Sequence, residues 1–210
     1  MLKKFLGKEK GITGLETAII LIAFVVVAAV FAYTALSAGL FSTQKAQEAV
    51  YSGLKEAQST LEIKGSIIAA AGNVTGANGN IGQLTFTVSN VLGGEPVDFT
   101  VPSGGAAGIA TGDDHRLVIN YIDSNQEVDN LYWTLTKLGT DDGDSLLETG
   151  EKFQVTIGAA AANNNLVAAL EPNYLSVNDT FTLVVLTPIG AVLNIERTTP
   201  PYIDAIMNLR

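Results

Sequence analysis

The residues with the most chemical potential in this 210-residue chain are a short acidic cluster, Asp141, Asp142, Asp144 and Glu148. Carboxylates spaced around Gly143 offer hard oxygen atoms that can wrap Ca²⁺, the one cofactor the sequence suggests. The spacing lacks the full EF-hand pattern, so the same residues also read as an acidic turn between two strands. His115 is the only histidine. It follows Asp113 and Asp114 in a glycine-rich loop, and a nucleophilic triad would need a serine carried in from elsewhere by the fold. A solvated loop residue is the expectation. There is no cysteine, which removes thiolate catalysis, thiolate metal sites and disulfides together. Nor does a glycine-rich phosphate loop open a helix. No catalytic residue is expected, and the chain does not read as an enzyme. Two sequons, Asn73-Val74-Thr75 and Asn178-Asp179-Thr180, are acceptors for N-linked glycan on a secreted surface. Asn73, in a Gly/Asn-rich loop, is the stronger of the two. Trp133 beside Tyr132 reads as a core residue whose neighbour faces the other way along a strand.

These groups must be carried by two very different elements. Residues 18–41 hold no charged side chain, a run of about 24 that satisfies the roughly 20 needed to cross a bilayer core. Lys3, Lys4, Lys8 and Lys10 precede it, while acidic residues dominate after it, within a formal net charge of −9. Lysines on one flank orient such a helix with its leader in the cytoplasm and the C-terminal body outside. The acidic body argues against nucleic acid as a partner. A cleavable secretory signal would have a shorter apolar core followed by a small-residue site. Here strong helix formers continue past Phe41 through Gln44, Lys45, Ala46 and Glu48, and again at Leu54, Lys55, Glu56 and Ala57. A helix over residues 12–59 would be about 70 Å long, far more than a membrane span. Small residues at Ala28, Ala29, Ala32, Ala35, Ser37, Ala38 and Gly39 allow close helix approach in apolar surroundings.

The leader Lys10-Gly11, followed by Ile12-Thr13-Gly14-Leu15-Glu16 and an unbroken apolar helix, resembles the class III signal of type IV pilin-like proteins. More narrowly, the stretch from residues 14–19 through residues 38–44 resembles the archaellins, the filament subunits of the archaeal flagellum. That resemblance implies a leader over residues 1–11 removed after Gly11 by a prepilin peptidase, with Ile12 as the mature N-terminus. It implies an assembly helix over residues 12–60, a transient membrane span that ends in a filament core, and an outer Ig-like antiparallel β-sandwich over residues 61–210, an α+β fold. Ala18, Val26, Ala29, Ala32 and Gly39 would then face other subunits. Glu16 is a carboxylate at the edge of an apolar run, where an unpaired charge is costly. The resemblance supplies the Ile12 α-amino group as its partner. On the residues alone, Glu16 could equally sit at the headgroup level or answer the helix macrodipole.

Beyond residue 61 the apolar period changes to two. Leu84, Phe86 and Val88, then Leu117, Ile119 and Tyr121, then Phe153, Val155 and Ile157, then Phe181, Leu183 and Val185 each mark a half-buried strand. Turn-rich stretches at residues 72–82, 93–96, 103–112, 141–144 and 163–165 separate them, as in an antiparallel sandwich. Residues 172–201 also resemble archaellin C-termini. The expected function is a motility filament subunit, a homo-polymer or a co-polymer with related subunits, inserted in the cytoplasmic membrane as a precursor and extracellular when assembled. Two other readings remain at this point: a type IV pilin-like adhesion subunit, and a β-sandwich binding domain or enzyme on an uncleaved membrane anchor.

Overall fold

The computed structural model describes residues 10–58, 60–72, 75–91, 94–158 and 166–209. Its first element, α1 (Lys10–Gln58), is a single helix of 49 residues. No proline occurs before Pro96, so nothing in this stretch removes a ladder hydrogen bond or clashes with the preceding turn. Gly14, Gly39 and Gly53 each weaken a helix by about 1 kcal/mol relative to alanine, yet α1 runs through all three. Lys55 lies in the last turn, where a cation complements the free carbonyls of the helix C-terminus.

The chain divides into two compact units between Ser52 and Gly53, a little before the expected boundary at residue 60. The reason is local. Lys55 reaches Glu95 at 2.8 Å, and Val91 donates its N–H to the carbonyl of Thr60 at 3.2 Å, so the last turn of α1 is tied to the body.

The body is all-antiparallel. Its strands are β1 (Leu61–Ile63), β2 (Ile67–Ala71), β3 (Ile81–Asn90), β4 (Val97–Asp98), β5 (Val118–Asp123), β6 (Glu127–Val128), β7 (Trp133–Leu138), β8 (Leu146–Leu147), β9 (Lys152–Ile157), β10 (Thr180–Leu186), β11 (Leu193–Thr198) and β12 (Ile206–Leu209). One sheet has the order β12-β2-β3-β9-β7, with β1 also paired to β3. A second has the order β11-β10-β5-β6, and β4 and β8 form a separate pair. The four apolar alternations read from the sequence fall in β3, β5, β9 and β10, with Leu117 one residue ahead of β5. Their alternate residues are the buried ones, because successive side chains of a strand point to opposite faces. In β9, for example, Phe153, Val155 and Ile157 are buried while Gln154 and Thr156 are only half-buried.

Both sheets feed one apolar core. Phe99 is its centre of aromatic contact, edge-on to Trp133 at 6.1 Å and to Phe153 at 5.6 Å. Trp133 is fully buried and Tyr132 half-buried, as expected for neighbours on opposite faces of a strand. Among the described residues the indole N–H of Trp133 has no acceptor, so it serves by volume rather than by hydrogen bonding. Trp133→Ala should lower body stability by about 3–5 kcal/mol, and Trp133→Phe by much less, since phenylalanine keeps most of the volume and removes the unpaired donor. Chemical unfolding followed by far-UV circular dichroism measures both.

Candidate assembly and modification sites

Every side chain described from Gly14 to Lys55 is exposed, and the apolar ones lie all round the helix. Phe24 and Phe31 each leave 72% of their surface free, and Val26 leaves 55%. A surface helix of a soluble protein keeps one polar face, and a helix that is apolar on all sides is a buried one. Burying a large apolar side chain is worth roughly 1.5–3 kcal/mol. Residues 15–41 thus leave some tens of kcal/mol unrealised in the subunit, more than the roughly 5–15 kcal/mol that holds a whole domain folded. This element has its stable home only inside another apolar body.

The residues picked from the sequence divide on its surface. Lys10, Gly11 and Ile12 form the start of α1, with helical backbone. Ala28, Ala32, Ala35 and Gly39 recur at intervals of four, three and four and fall on one face. Ala29 and Ala18 lie about 70–90° round from the middle of that face at 100° per residue, so the proposed small-residue set is not one stripe. A Cβ added to Gly39 would meet nothing within 4 Å. The subunit itself has no steric need for glycine there.

Glu16 is exposed and has no partner among the described residues. It lies beyond the first turn of α1, which contains no acidic residue, and the macrodipole acts only within that turn. Removal of residues 1–11 would bring it close to a new helix start. Three threonines of the helix are already satisfied. Thr17, Thr34 and Thr43 donate to the carbonyls of Gly14, Phe31 and Leu40 at 3.0, 3.0 and 2.9 Å, so they can enter apolar surroundings without an orphaned hydroxyl. No periodicity rule points to this feature; only the i−3 back-bonding habit of the residue type does.

In the body, Asn178 is exposed and sits in the left-handed region at φ 58°, which asparagine tolerates better than most residues. Its loop is pinned from below: Asp179 N–H donates to Thr199 Oγ1 at 2.9 Å, and Thr199 donates to the carbonyl of Ser176 at 2.6 Å. The side chain of Asn178 is left facing outward. Asn73 lies outside the described residues.

The acidic cluster does not converge. Asp141, Asp142 and Asp144 accept backbone N–H groups from Gly143, Asp144 and Leu146 at 2.8, 3.2 and 2.7 Å, and Asp141 also lies 3.6 Å from Lys137. Glu148 is exposed. Among the described residues no three acidic or histidine side chains are grouped to hold a metal. These are the self-bonded turns to which aspartate is suited.

His115 departs from expectation. Its side chain is only 5% exposed, and its Nε2 bonds Asn130 Oδ1 at 2.8 Å. Asn130 in turn donates to the carbonyl of Ala110 at 3.2 Å and takes φ 55°, so the histidine braces a loop crossing. Beside it, the backbone N–H of Ser103 on Asp114 holds that carboxyl below its usual range. The polar residues around His115 are committed to backbone, which is a structural role. Tyr121, buried and bonded to Asp123 at 2.8 Å, has its phenol pushed well above its usual range, chiefly by burial.

Comparison with known proteins bears on the whole chain. Residues 11–197 match the family model described as archaeal-type flagellin. Two proteins of Archaeoglobus fulgidus, probable flagellin 2 and probable flagellin 1, are 39% and 40% identical over 204 and 211 residues. The first alignment covers 95% of this chain and 94% of the relative, the second 98% of each. Among solved structures, the archaeal flagellum of Methanospirillum hungatei superimposes with a TM-score of 0.62 at 29% identity, covering 93% of this chain and 98% of that one.

Proposed function

Because this chain belongs to the archaeal-type flagellin family and is a structural subunit of the extracellular archaellum filament, we propose a path from membrane to polymer. The precursor is held in the cytoplasmic membrane by residues 18–41, with its four lysines inside. A prepilin peptidase cuts after Gly11, and the helix then leaves lipid for a bundle of like helices. The observation that carries this is the helix that is apolar on every side and unburied in the subunit. A membrane satisfies such a surface, and so does a filament core, which makes the transfer between them nearly neutral for the apolar side chains. Removing the lysine-bearing leader takes away the electrostatic hold on the membrane.

Glu16 is then paired with the α-amino group of Ile12 at the new N-terminus, of the same or a neighbouring copy. Ala18, Val26, Ala29, Ala32 and Gly39 pack against neighbouring helices. The β-sandwich stays outside the core. Electron microscopy of surface filaments with N-terminal sequencing of their subunit tests the path. A first residue of Ile12 is expected, and an intact residue 1–11 segment in filaments would sink it.

Glycan on Asn178 and Asn73 belongs to the same reading, since glycans on an outer domain shield the polymer and block lateral association. Intact mass of filament subunits should exceed the sequence mass by at least one glycan, and Asn178→Gln should remove one such increment. Unmodified peptides at both positions would end the idea. For Asp141, Asp142, Asp144 and Glu148 we favour a turn role over Ca²⁺. Chelator should leave the melting temperature of the body unchanged, and a fall restored by added Ca²⁺ would restore the metal reading.

A further inference from the structure

The apolar helix leaves two hydroxyls unaccounted for. Between residues 15 and 41 the polar side chains are Glu16, Thr17, Tyr33, Thr34 and Ser37. The threonines are bonded to their own helix, and Glu16 is the group that the proposed processing provides for. Tyr33 is 74% exposed, and neither its hydroxyl nor that of Ser37 has a partner among the described residues. Water answers both in the free subunit. A filament core removes the water and leaves the Tyr33 phenol a buried orphan unless another chain supplies a partner, whereas Ser37 without one falls back on a carbonyl of its own helix.

The two are four residues apart and therefore share a face. They cannot readily bond each other within one helix, because a long helical side chain points back toward the N-terminus, away from Ser37. In a polymer built by rotation about an axis, a face turned toward that axis is met by the same face of other copies. A second copy displaced toward its N-terminus by about one to two turns, roughly 5–11 Å, brings its Ser37 level with the Tyr33 hydroxyl. Glu16 lies roughly 60–100° round the helix from this face and does not share the seam.

We propose that Tyr33 of one subunit donates a hydrogen bond to Ser37 of a neighbouring copy, and that this polar pair on their shared face fixes the stagger between otherwise featureless apolar helices. A buried polar residue in an apolar seam serves coiled coils in this way, setting register at some cost in stability. The inference rests on the filament reading above, and deepens it by naming a contact within the core.

Electron cryomicroscopy of the native filament tests it directly. The expected result is Tyr33 Oη within about 2.5–3.0 Å of Ser37 Oγ of another copy. Filaments in which that oxygen meets any other group would overturn the pair while leaving the assembly reading intact; no filament at all would overturn the assembly reading. Variants give a second readout in filament melting temperature. Ser37→Ala should melt lower than Tyr33→Phe, since an orphaned phenol cannot bond its own backbone whereas an orphaned serine can. The double variant should melt at or above Ser37→Ala, because removing both partners leaves no unpaired group. Additive losses in the double variant would overturn the pairing. If Ser37→Ala yields no filaments, their return in the double variant supports it and their continued absence overturns it.

Discussion

Val26→Asp should abolish filaments while leaving the β-sandwich as stable as before. Val26 is 55% exposed, and it belongs to the compact unit that ends at Ser52. In the free subunit the new carboxylate would be solvated at no cost. In the core it would be buried without a partner, at an effective penalty of several kcal/mol per ion after relaxation. The penalty recurs in every copy, because a helical polymer repeats each contact. Membrane insertion is the gentler demand. An acidic residue at a helix centre costs about 2.5–3.5 kcal/mol on insertion scales, set against the rest of a 24-residue apolar run. Precursor should therefore still be found in the membrane fraction, which separates an assembly defect from a targeting one. Val26→Leu, which keeps the surface apolar, should still give filaments. Electron microscopy of cell surfaces, with thermal unfolding of the body, reads both arms, and normal filaments from Val26→Asp would refute the packing account.

The difference between what the sequence reveals and what it hides follows from how each signal is encoded. The length and apolarity of α1 and the period-2 strands are written in consecutive residues, and β3, β5, β9 and β10 appear where Leu84, Leu117, Phe153 and Phe181 placed them. The burial of Trp133 was legible for the same reason, since neighbours on a strand alternate faces. His115 was not legible. Its loop is rich in glycine and aspartate, which reads as solvated, but its burial depends on Asn130, fifteen residues away, folding over it with a left-handed backbone. Strands as short as β4, β6 and β8, two residues each, carry too few side chains to show a period at all. The acidic turn was readable as to place and ambiguous as to role. Only the direction of its carboxylates, turned onto their own backbone N–H groups, separates a self-capped turn from a cation cage. Assembly residues are the hardest case. On a helix apolar all round, no periodicity distinguishes the faces, and only odd members such as Glu16, Tyr33 and Gly39 mark one side from another.

The second large effect is expected at the leader. Gly11→Val should stop processing, leaving precursor in the membrane with residues 1–11 attached and no filament on the cell. Gly11 stands in the first turns of α1, one residue before the proposed mature N-terminus, where a branched side chain would stand directly at the proposed cut. The consequence is then electrostatic. Lys3, Lys4, Lys8 and Lys10 would remain on every subunit, and each charge taken into an apolar helix bundle costs about 2.5–3.5 kcal/mol on the same insertion scale. The uncut chain also lacks a free amine at Ile12, so Glu16 would enter the core without its partner, adding a further unpaired charge. The two penalties act together, so the loss should be complete rather than graded. Mass spectrometry of the membrane fraction measures it: the expected species is heavier than the mature subunit by the mass of residues 1–11. Filaments built from Gly11→Val chains that still carry the leader would show that neither the lysines nor the blocked amine opposes assembly.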